Sequence, residues 1–326
     1  MSRREHPTSD GERAMTFHGL RGTSMKRQLL GAAALVSMAQ ALSAQRAGPP
    51  VIDMHVHSTI VTPAAIGQLD SLNVRYLFLA ALAPDLRVWA SVDTSRYLPA
   101  LIFPCEKGHA PITGRMCFDA PSEFPDTSWL RQEIEARRVR GFGELETQYV
   151  GMSPSDPRME PYWRLAETYD LPVGIHMGVS EPGIAYDSSR VKWKSSAFRM
   201  RFGDPLLLED VLARHQHLRL YVMHAGYPRL EEMIALLSMY PNVFVDVAAL
   251  ESEPLVPRAT YYAYLRALVD AGFGKRIMFG SDFLWQLRQG IDAIEHADFL
   301  TSDQKADILC NNAARFLRLG PAICRS

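Results

Sequence analysis

Two histidines separated by a single residue are the strongest chemical signal in the sequence. The apolar stretch that starts at Val51 ends in His55, Val56 and His57. In a β-strand, residues two positions apart point to the same face, so we expect both imidazoles to project together from the strand's C-terminal end. Two imidazoles on one strand provide half of the ligands of a typical metal site. The remaining ligands must come from later segments.

Four later apolar segments each end in one further residue of a type that binds metals. These residues are Glu144, His176, His224 and Asp282. A single histidine at a strand end is usually satisfied by ordinary hydrogen bonds, but six suitable residues in equivalent positions favour a metal centre. Imidazole and carboxylate ligands suit Zn²⁺, which we expect here, and also Mn²⁺, Fe²⁺ or Ni²⁺. Glu146 is an alternative to Glu144, because both carboxylates are expected on the same face of the strand.

The elements that must position these residues alternate between strand-like and helix-like segments. We predict strands at residues 53–57, 74–80, 97–103, 139–144, 172–176, 218–224, 242–247 and 276–282. This alternation indicates an α/β fold, either a (β/α)8 TIM barrel or a doubly wound sheet. The candidate ligands favour the barrel, because they fall at the C-terminal ends of the strands, where TIM barrels carry their active sites.

Three helix starts are marked by capping residues. Thr127 or Ser128 is expected to cap a helix that runs to about residue 138, and Asp204 is expected to cap another. Thr301 and Gln304 form the pattern of a capping box at the start of the last helix.

The overall composition is that of an ordinary globular protein. The 326 residues are 47% hydrophobic and 22% charged, with a net charge of -1. This length suits one large α/β barrel or two smaller domains. The near-zero net charge provides no field that would attract nucleic acid, which disfavours a nuclease. We therefore expect a small-molecule substrate and no nucleic-acid partner.

The N-terminal segment differs from the rest of the chain. Lys26 and Arg27 precede an apolar run, and small residues follow up to Ala44. This order is typical of an export signal that starts near Met25, although a plain N-terminal helix is the alternative. We predict that residues 1–44 are an extension with an export signal and that residues 45–326 form a single (β/α)8 domain. The apolar run is too short to span a membrane comfortably, so we expect a periplasmic protein without a stable membrane span.

Four cysteines bear on this expectation, because export permits disulfides. Cys105 and Cys117 bracket a loop rich in proline and glycine and can be joined. For Cys310 and Cys324, a disulfide and two free buried thiols are equally compatible with the sequence. No two cysteines have the C-x-x-C spacing, which disfavours a cysteine metal site.

The motifs around the candidate ligands resemble the amidohydrolase superfamily, and most closely its amidohydrolase-related ("amidohydrolase 2") family. The resemblance runs from about residue 51 to residue 319 and implies a (β/α)8 metal-dependent hydrolase. Its motifs are Asp53-Met-His-Val-His57, Gly143-Glu-Leu145, Ile175-His-Met-Gly178, Met223-His-Ala-Gly226, Phe279-Gly-Ser-Asp282 and Asn312-Ala-Ala-Arg315.

The resemblance also implies roles for the candidate ligands. His55, His57 and Asp282 would hold one metal. His176 and His224 stand where relatives place the ligands of a second metal, or where one-metal members place a third ligand and a catalytic histidine. Glu144 stands where two-metal relatives have a bridging carboxylate or a carboxylated lysine. Residues 141–146 contain no lysine, which excludes a carboxylated-lysine bridge. A glutamate at this place also resembles the metal-dependent DNases of the superfamily, so the resemblance favours two metals over one.

The function implied by the resemblance is hydrolysis of a C–N or C–O bond in an amide, lactone or ester by a metal-bound hydroxide. Asp282 would accept the proton of the attacking water, and His224 or His176 would stabilise the developing oxyanion if it does not hold a metal. One alternative is a metal-dependent, non-oxidative decarboxylase of a small acid, a class that the same family contains. Another is a non-catalytic envelope module that binds a metal or a solute.

A long segment after His176, residues 181–203, is expected to cover the site. It can bind an acidic or aromatic substrate, or it can be a solvated basic loop. Trp285 either lines the substrate pocket or packs its own loop, and Asp246 either contacts substrate or caps a helix. Asp53 is expected to support the ligands or the fold. The candidate substrate-binding residues of the covering segment are Lys192, Trp193, Arg199 and Arg201.

Overall fold

The computed structural model describes residues 48–57, 63–91, 95–186, 194–253 and 255–325. The predicted export signal, Lys192 and Trp193 lie outside these residues. Among the residues described, no helix is long and apolar enough to cross a membrane.

A parallel sheet runs through the whole described domain. Its strands are β1 Val51–His57, β2 Val74–Ala81, β3 Tyr97–Phe103, β4 Gly141–Leu145, β5 Pro172–His176, β6 Arg219–Met223, β7 Val243–Asp246, β8 Ile277–Met278 and β9 Asp282–Phe283. Neighbouring strands pair in the order β8-β7-β6-β5-β4-β3-β2-β1-β9. The eight predicted strands are therefore present, and the last of them is divided into β8 and β9.

The division of the last strand closes the barrel. β8 pairs with β7, while β9 pairs with β1 so that Asp282 lies opposite Val56. Between them, the amide of Met54 donates to the carbonyl of Phe279, and the amide of Ser281 donates to the carbonyl of His55. One continuous segment thus joins the last and the first strands, as a (β/α)8 barrel requires and a doubly wound sheet does not.

Ten α-helices of the described residues follow or connect the strands. They are α1 Pro63–Ser71, α2 Ala83–Ala90, α3 Thr127–Glu135, α4 Glu160–Thr168, α5 Glu209–Arg214, α6 Leu230–Met239, α7 Arg258–Leu268, α8 Leu287–Glu295, α9 Ser302–Ala306 and α10 Asn312–Phe316. The strand residues serve two apolar clusters. In β1, Val51 and Val56 pack in the larger cluster, whereas Ile52 and Met54 pack with Phe316 of α10. A register irregularity between Asp53 and Val56 interrupts the two-residue alternation.

Helix capping confirms two predictions and corrects one. Asp204 accepts from the amide of Leu206, and Thr301 forms the predicted capping box with Gln304. The predicted cap of α3 was wrong, because Asp126 accepts from the first free amides of that helix. Thr127 is already the first helical residue, so the side chain one position earlier is the one that reaches those amides.

Both cysteine pairs form disulfides, Cys105 with Cys117 and Cys310 with Cys324. For the second pair, the free thiols considered from the sequence are ruled out. The helical turn that carries Cys310 and the C-terminal turn that carries Cys324 pack in one apolar cluster, which brings their Cα atoms to 5.8 Å and within disulfide range.

Candidate metal centre

The first half of the site lies where β1 meets β9. The Nε2 atoms of His55 and His57 are 3.2 Å apart, and Oδ1 of Asp282 is 3.6 Å from each of them. Gly280 permits this approach, because a Cβ atom at that position would lie 2.8 Å from Cβ of His55. The three side chains form one of the two groups of described residues whose atoms could share a metal ion.

The second half comes from β5 and from the end of β6. Nδ1 of His176 hydrogen-bonds Oε1 of Glu144, and Nε2 of His224 lies 3.5 Å from the same oxygen. The other oxygen, Oε2, lies 2.9 Å from Nε2 of His57 and 3.5 Å from Nε2 of His55. Glu144 therefore presents one carboxylate oxygen to each pair of histidines.

The far sides of two imidazoles are held by groups from β7 and the loop after it. Nδ1 of His55 lies 3.2 Å from Oδ2 of Asp246. Nδ1 of His224 donates to the carbonyl oxygen of Ala248 at 2.9 Å. Because a carbonyl only accepts, Nδ1 of His224 carries a proton, and Nε2 is the nitrogen that points toward Glu144. Such contacts orient imidazoles as metal ligands. Asp246 also accepts from the amide of His224, so one carboxylate supports both halves of the site.

Backbone strain coincides with the site. His224 has φ +54°, Ala225 has φ +46° and Asp282 has φ +64°, a left-handed conformation that residues with side chains rarely adopt. Such residues persist only when their surroundings hold them, and they concentrate at functional sites. Here the hydrogen bond from the amide of His224 to Asp246 and the pairing of Asp282 with β1 hold the two ligands in place.

The titration behaviour of the site reflects complete burial beside opposite charges. Burial pulls the pKa of His55 down, but the carboxylates of Asp246 and Glu144 outweigh it and hold this pKa well above the ordinary value. Burial would raise the pKa of Glu144, yet the surrounding histidines, His176 foremost, hold it well below the usual range. Burial dominates at His176 and lowers its pKa. These directions record how closely imidazoles and carboxylates are packed against one another in the buried centre.

Asp53 joins β1 to the closing segment rather than to the ligands. Its carboxylate accepts from the amide of His55 at 3.1 Å, from the amide of Ser281 at 3.0 Å and from the hydroxyl of Ser281 at 2.6 Å. Burial raises its pKa to about 7 against these hydrogen bonds. This placement agrees with the supporting role expected from the sequence, because Asp53 fixes the strand that carries both histidines.

The other candidates take different places. Glu144, which contacts the histidines, is the carboxylate at the centre. Glu146 is buried, and one of its oxygens has no hydrogen-bond partner among the described residues. The guanidinium of Arg199 donates to the carbonyls of Ser196 and Phe198 in its own loop. Arg201 stacks over the ring of Phe202. Trp285 is 71% exposed.

Two residues just after β4 were not anticipated from the sequence. Gln148 is fully buried, and its side chain both donates to and accepts from the backbone of Gly178, just before the covering segment. The ring of Tyr149 packs 4.8 Å from that of His176, and its hydroxyl shares a hydrogen bond with Ser180. The signal that could have found them is their position, directly after the strand that ends near Glu144.

The side chains at the centre fit a divalent metal. Four imidazoles and two carboxylates supply only nitrogen and oxygen donors, which is the ligand set of catalytic Zn²⁺ and related ions. Nε2 of His176 is buried without a hydrogen-bond partner among the described residues, so this imidazole is not fully used by the protein. The second group that could share an ion consists of His55, Glu144 and His224.

Comparison with known protein families identifies the family of the chain. The family model Amidohydro_2, described as amidohydrolase, matches residues 107–319. The match covers well over half of the chain, which therefore belongs to this amidohydrolase family. The match begins later than the predicted resemblance and excludes β1, so the two histidines of that strand are placed by the fold. No curated protein matches the sequence.

Solved structures with the same fold are distant in sequence. An uncharacterised TIM-barrel protein from Bordetella bronchiseptica has a TM-score of 0.60 at 13% identity, over 82% of this chain and 98% of that one. The 5-carboxyvanillate decarboxylase of Sphingomonas paucimobilis has a TM-score of 0.56 at 14% sequence identity, over 84% of this chain and 100% of that one. A probable 2-pyrone-4,6-dicarboxylic acid hydrolase of Acinetobacter baumannii has a TM-score of 0.51 at 13% sequence identity, over 82% of this chain and 99% of that one.

Family and fold together define the class of the protein. It is a metal-dependent enzyme of the amidohydrolase superfamily, built on a TIM barrel. The solved structures with this fold include a decarboxylase and a probable hydrolase, so the likeness leaves the reaction undetermined between these two. The non-catalytic module considered from the sequence is not supported.

Proposed function

We propose that the protein is a two-metal hydrolase that cleaves a C–N or C–O bond in an amide, lactone or ester of a small molecule. The observation that carries this proposal is the position of Glu144, whose two oxygens face different pairs of histidines. In two-metal hydrolytic sites the ions lie roughly 3.5–4 Å apart, a separation that one carboxylate can bridge. A one-metal site has no need of a carboxylate shared in this way.

The side chains divide into two sets around Glu144. His55, His57 and Asp282 would hold one ion together with Oε2 of Glu144, and His176 and His224 would hold the other with Oε1. Zn²⁺ is the proposed ion, because its usual ligands are imidazole nitrogens and carboxylate oxygens. Bound divalent cations supply positive charge that polarises a substrate carbonyl and acidifies water.

Asp282 is the proposed proton carrier. Its side chain is 15% exposed, whereas that of His55 is fully buried, so the carboxylate is open to substrate and water. Asp282 accepts one proton as water adds its hydroxyl to the acyl carbon, and it returns that proton to the departing oxygen or nitrogen. Water thus divides between the two products.

Non-oxidative decarboxylation of a small acid is the second candidate. It is favoured by the likeness of the fold to that of 5-carboxyvanillate decarboxylase. The two candidates differ in their products, because decarboxylation releases carbon dioxide and hydrolysis releases an acid and an alcohol or amine.

The deciding experiment measures metal content per chain in protein purified without chelator, and then tests the metal-loaded protein on esters, lactones, amides and aromatic acids. We expect about two metals per chain and product acid from an ester, lactone or amide. One metal per chain together with release of carbon dioxide from an aromatic acid would overturn the proposal in favour of the decarboxylase.

We also propose that the chain is exported to the periplasm. The charged, apolar and small-residue order near Met25 supports this. The disulfides Cys105–Cys117 and Cys310–Cys324 support it as well, because disulfides persist in oxidising compartments. The test is fractionation of cells that express the full chain, with N-terminal sequencing of the product. We expect a shortened periplasmic protein, and an intact cytoplasmic one would contradict the proposal.

A further inference from the structure

The buried imidazoles of the centre are not all supported in the same way. Behind His55 lies the carboxylate of Asp246, and behind His224 lies the carbonyl of Ala248. His176 turns Nδ1 toward the carboxylate at the centre, and its other nitrogen, Nε2, has no hydrogen-bond partner among the described residues. Contacts behind a ligand fix its orientation, so His176 must be held by something other than a hydrogen-bond acceptor.

The ring of Tyr149 lies against the imidazole of His176 instead. The two ring centroids are 4.8 Å apart, with an interplanar angle of 58°. Tyr149 is 4% exposed, its ring also packs 5.1 Å from that of Phe198, and its hydroxyl shares a hydrogen bond of 2.7 Å with Ser180. A close-packed planar side chain limits the orientations of the ring beside it. Tyr149 therefore connects His176 to the covering segment.

The backbone beside His176 is held by Gln148. Nε2 of Gln148 donates to the carbonyl of Gly178 at 2.8 Å, and Oε1 accepts from the amide of Gly178 at 3.2 Å. Gly178 lies two residues beyond His176, where the chain leaves β5. The same Nε2 also donates to the carbonyl of Arg199 at 3.4 Å. Gly203 leaves room for this carboxamide, because a Cβ atom there would lie 2.4 Å from Oε1 of Gln148.

Gln148 and Tyr149 follow the strand that carries Glu144. Glu144 bonds the imidazole of His176, while Gln148 holds the backbone after His176 and Tyr149 holds its ring. One short segment, residues 144–149, thus fixes where His176 stands relative to the shared carboxylate. Metal–ligand distances vary by only about 0.2 Å, so a small shift of His176 costs metal affinity.

We propose that Gln148 and Tyr149 are positioning residues for His176 and that they determine how tightly the second ion binds. The inference rests on the proposed function for the assignment of His176 to that ion. Neither residue binds the metal or takes part in the chemistry. The first ion has its own support in Asp246 behind His55, so its affinity does not depend on these two residues.

The test is a calorimetric titration of chelator-stripped protein with Zn²⁺ in the presence of a competing chelator. His176→Ala identifies the binding step that uses this ligand. Tyr149→Leu fills most of the same space without a planar ring, and Tyr149→Phe keeps the ring and loses only the bond to Ser180. Changes behind a ligand cost about 10–100-fold in affinity, so we expect Tyr149→Leu to weaken the step of His176 about tenfold and to leave the other step unaltered. Tyr149→Phe should bind nearly as wild type.

A second variant reaches His176 from outside the centre. Gly203→Ala places a Cβ atom where the carboxamide of Gln148 lies and displaces this flexible end from Gly178. We expect the same step to weaken about tenfold. Gly274→Ala is the matched control, because its Cβ atom would lie 3.9 Å from Val269, an ordinary contact, and it should change neither step.

The outcome for this inference is separable from that for the two-metal function. A single ion in wild type would overturn the two-metal function, but the inference stands if Tyr149→Leu and His176→Ala both weaken that one step. Unaltered steps in Tyr149→Leu and Gly203→Ala would overturn it, as would equal weakening of both steps, which indicates a general loosening of the barrel. An equal loss in Tyr149→Phe would refute the role of the ring. If Tyr149→Leu does not fold, Gly203→Ala decides by the same criteria.

Discussion

Two clusters of the described residues combine histidine with glutamate, one at the metal centre and one in the helical layer. They differ in which side chain is shared between the others. At the centre, one carboxylate, Glu144, meets four imidazoles. In the helical layer, one imidazole, His215, meets two carboxylates, with Nδ1 at 3.0 Å from Glu167 and Nε2 at 3.4 Å from Glu160. Both imidazole nitrogens of His215 therefore have protein partners, and the cluster is complete by itself.

The difference separates a structural contact from a metal site. Glu167 also accepts from the amide of His217, and Glu160 also pairs with Arg164, so every group of the helical cluster is satisfied. The centre has more nitrogen lone pairs than the protein uses, as the unpartnered Nε2 of His176 shows for the described residues. A surplus of donors around a buried carboxylate is what a divalent cation requires.

Removing a ligand from the centre should give the largest effect. We expect His55→Ala to lower activity by roughly 10³-fold or more, because a catalytic cation contributes several kcal/mol to the transition state. Circular dichroism should show an intact fold. His215→Ala is the matched control and should keep its activity while losing some stability. Similar activity losses in both variants would remove the distinction between the clusters.

The shared carboxylate should set the number of metals. We expect Glu144→Gln to reduce metal content from about two per chain to about one, because an amide is a poor bridge between two cations. Glu167→Gln changes the same residue type in the helical cluster and should leave metal content unchanged. An unaltered metal count in Glu144→Gln would refute the bridging role, whatever happens to activity.

The support behind His55 should have an intermediate effect. Asp246→Asn removes the charge that faces Nδ1 of this imidazole but keeps an oxygen for the amides of His224 and Ala248. Changes at such supporting residues cost about 10–100-fold in metal affinity, and we expect that range in a metal titration. Asp298→Asn, at an exposed position, should leave the affinity unaltered. A normal affinity in Asp246→Asn would show that the contact is incidental.

The helical cluster should show only a small, pH-dependent effect. Burial would raise the pKa of Glu160 and of Glu167, but the hydrogen bonds and charges around each carboxylate, those of His215 foremost, together outweigh it and lower both pKa values. A lowered pKa in the folded state contributes stability above the unfolded value, and this is lost as the pH falls through the folded value.

We therefore expect Glu167→Gln to unfold about 0.5–1 kcal/mol more easily than wild type at pH 7. The difference should shrink as the pH falls below 4.5, the ordinary pKa of a glutamate. Urea denaturation at pH 7 and pH 3 measures this. A difference that persists undiminished at pH 3 would show that packing, rather than charge, connects His215 to α4.

Much of the barrel could be predicted from local patterns. Strand segments such as Pro172–His176 match the prediction residue for residue, because apolar runs between turn signals depend on neighbours in the chain. The capping box at Thr301 is local in the same way. The strand that ends the barrel was predicted as one element, since its division into β8 and β9 arises only when the sheet closes on β1.

The sequence by itself determined the candidate ligands and the ends of the strands that carry them, because residue type and the two-residue repeat are local properties. Only the tertiary structure decided how these groups combine. Barrel closure brought Asp282 beside His55, and the neighbouring strands placed Asp246 behind the same imidazole. The pairing of Cys310 with Cys324 was also decided by contacts in space, which no spacing along the chain specifies.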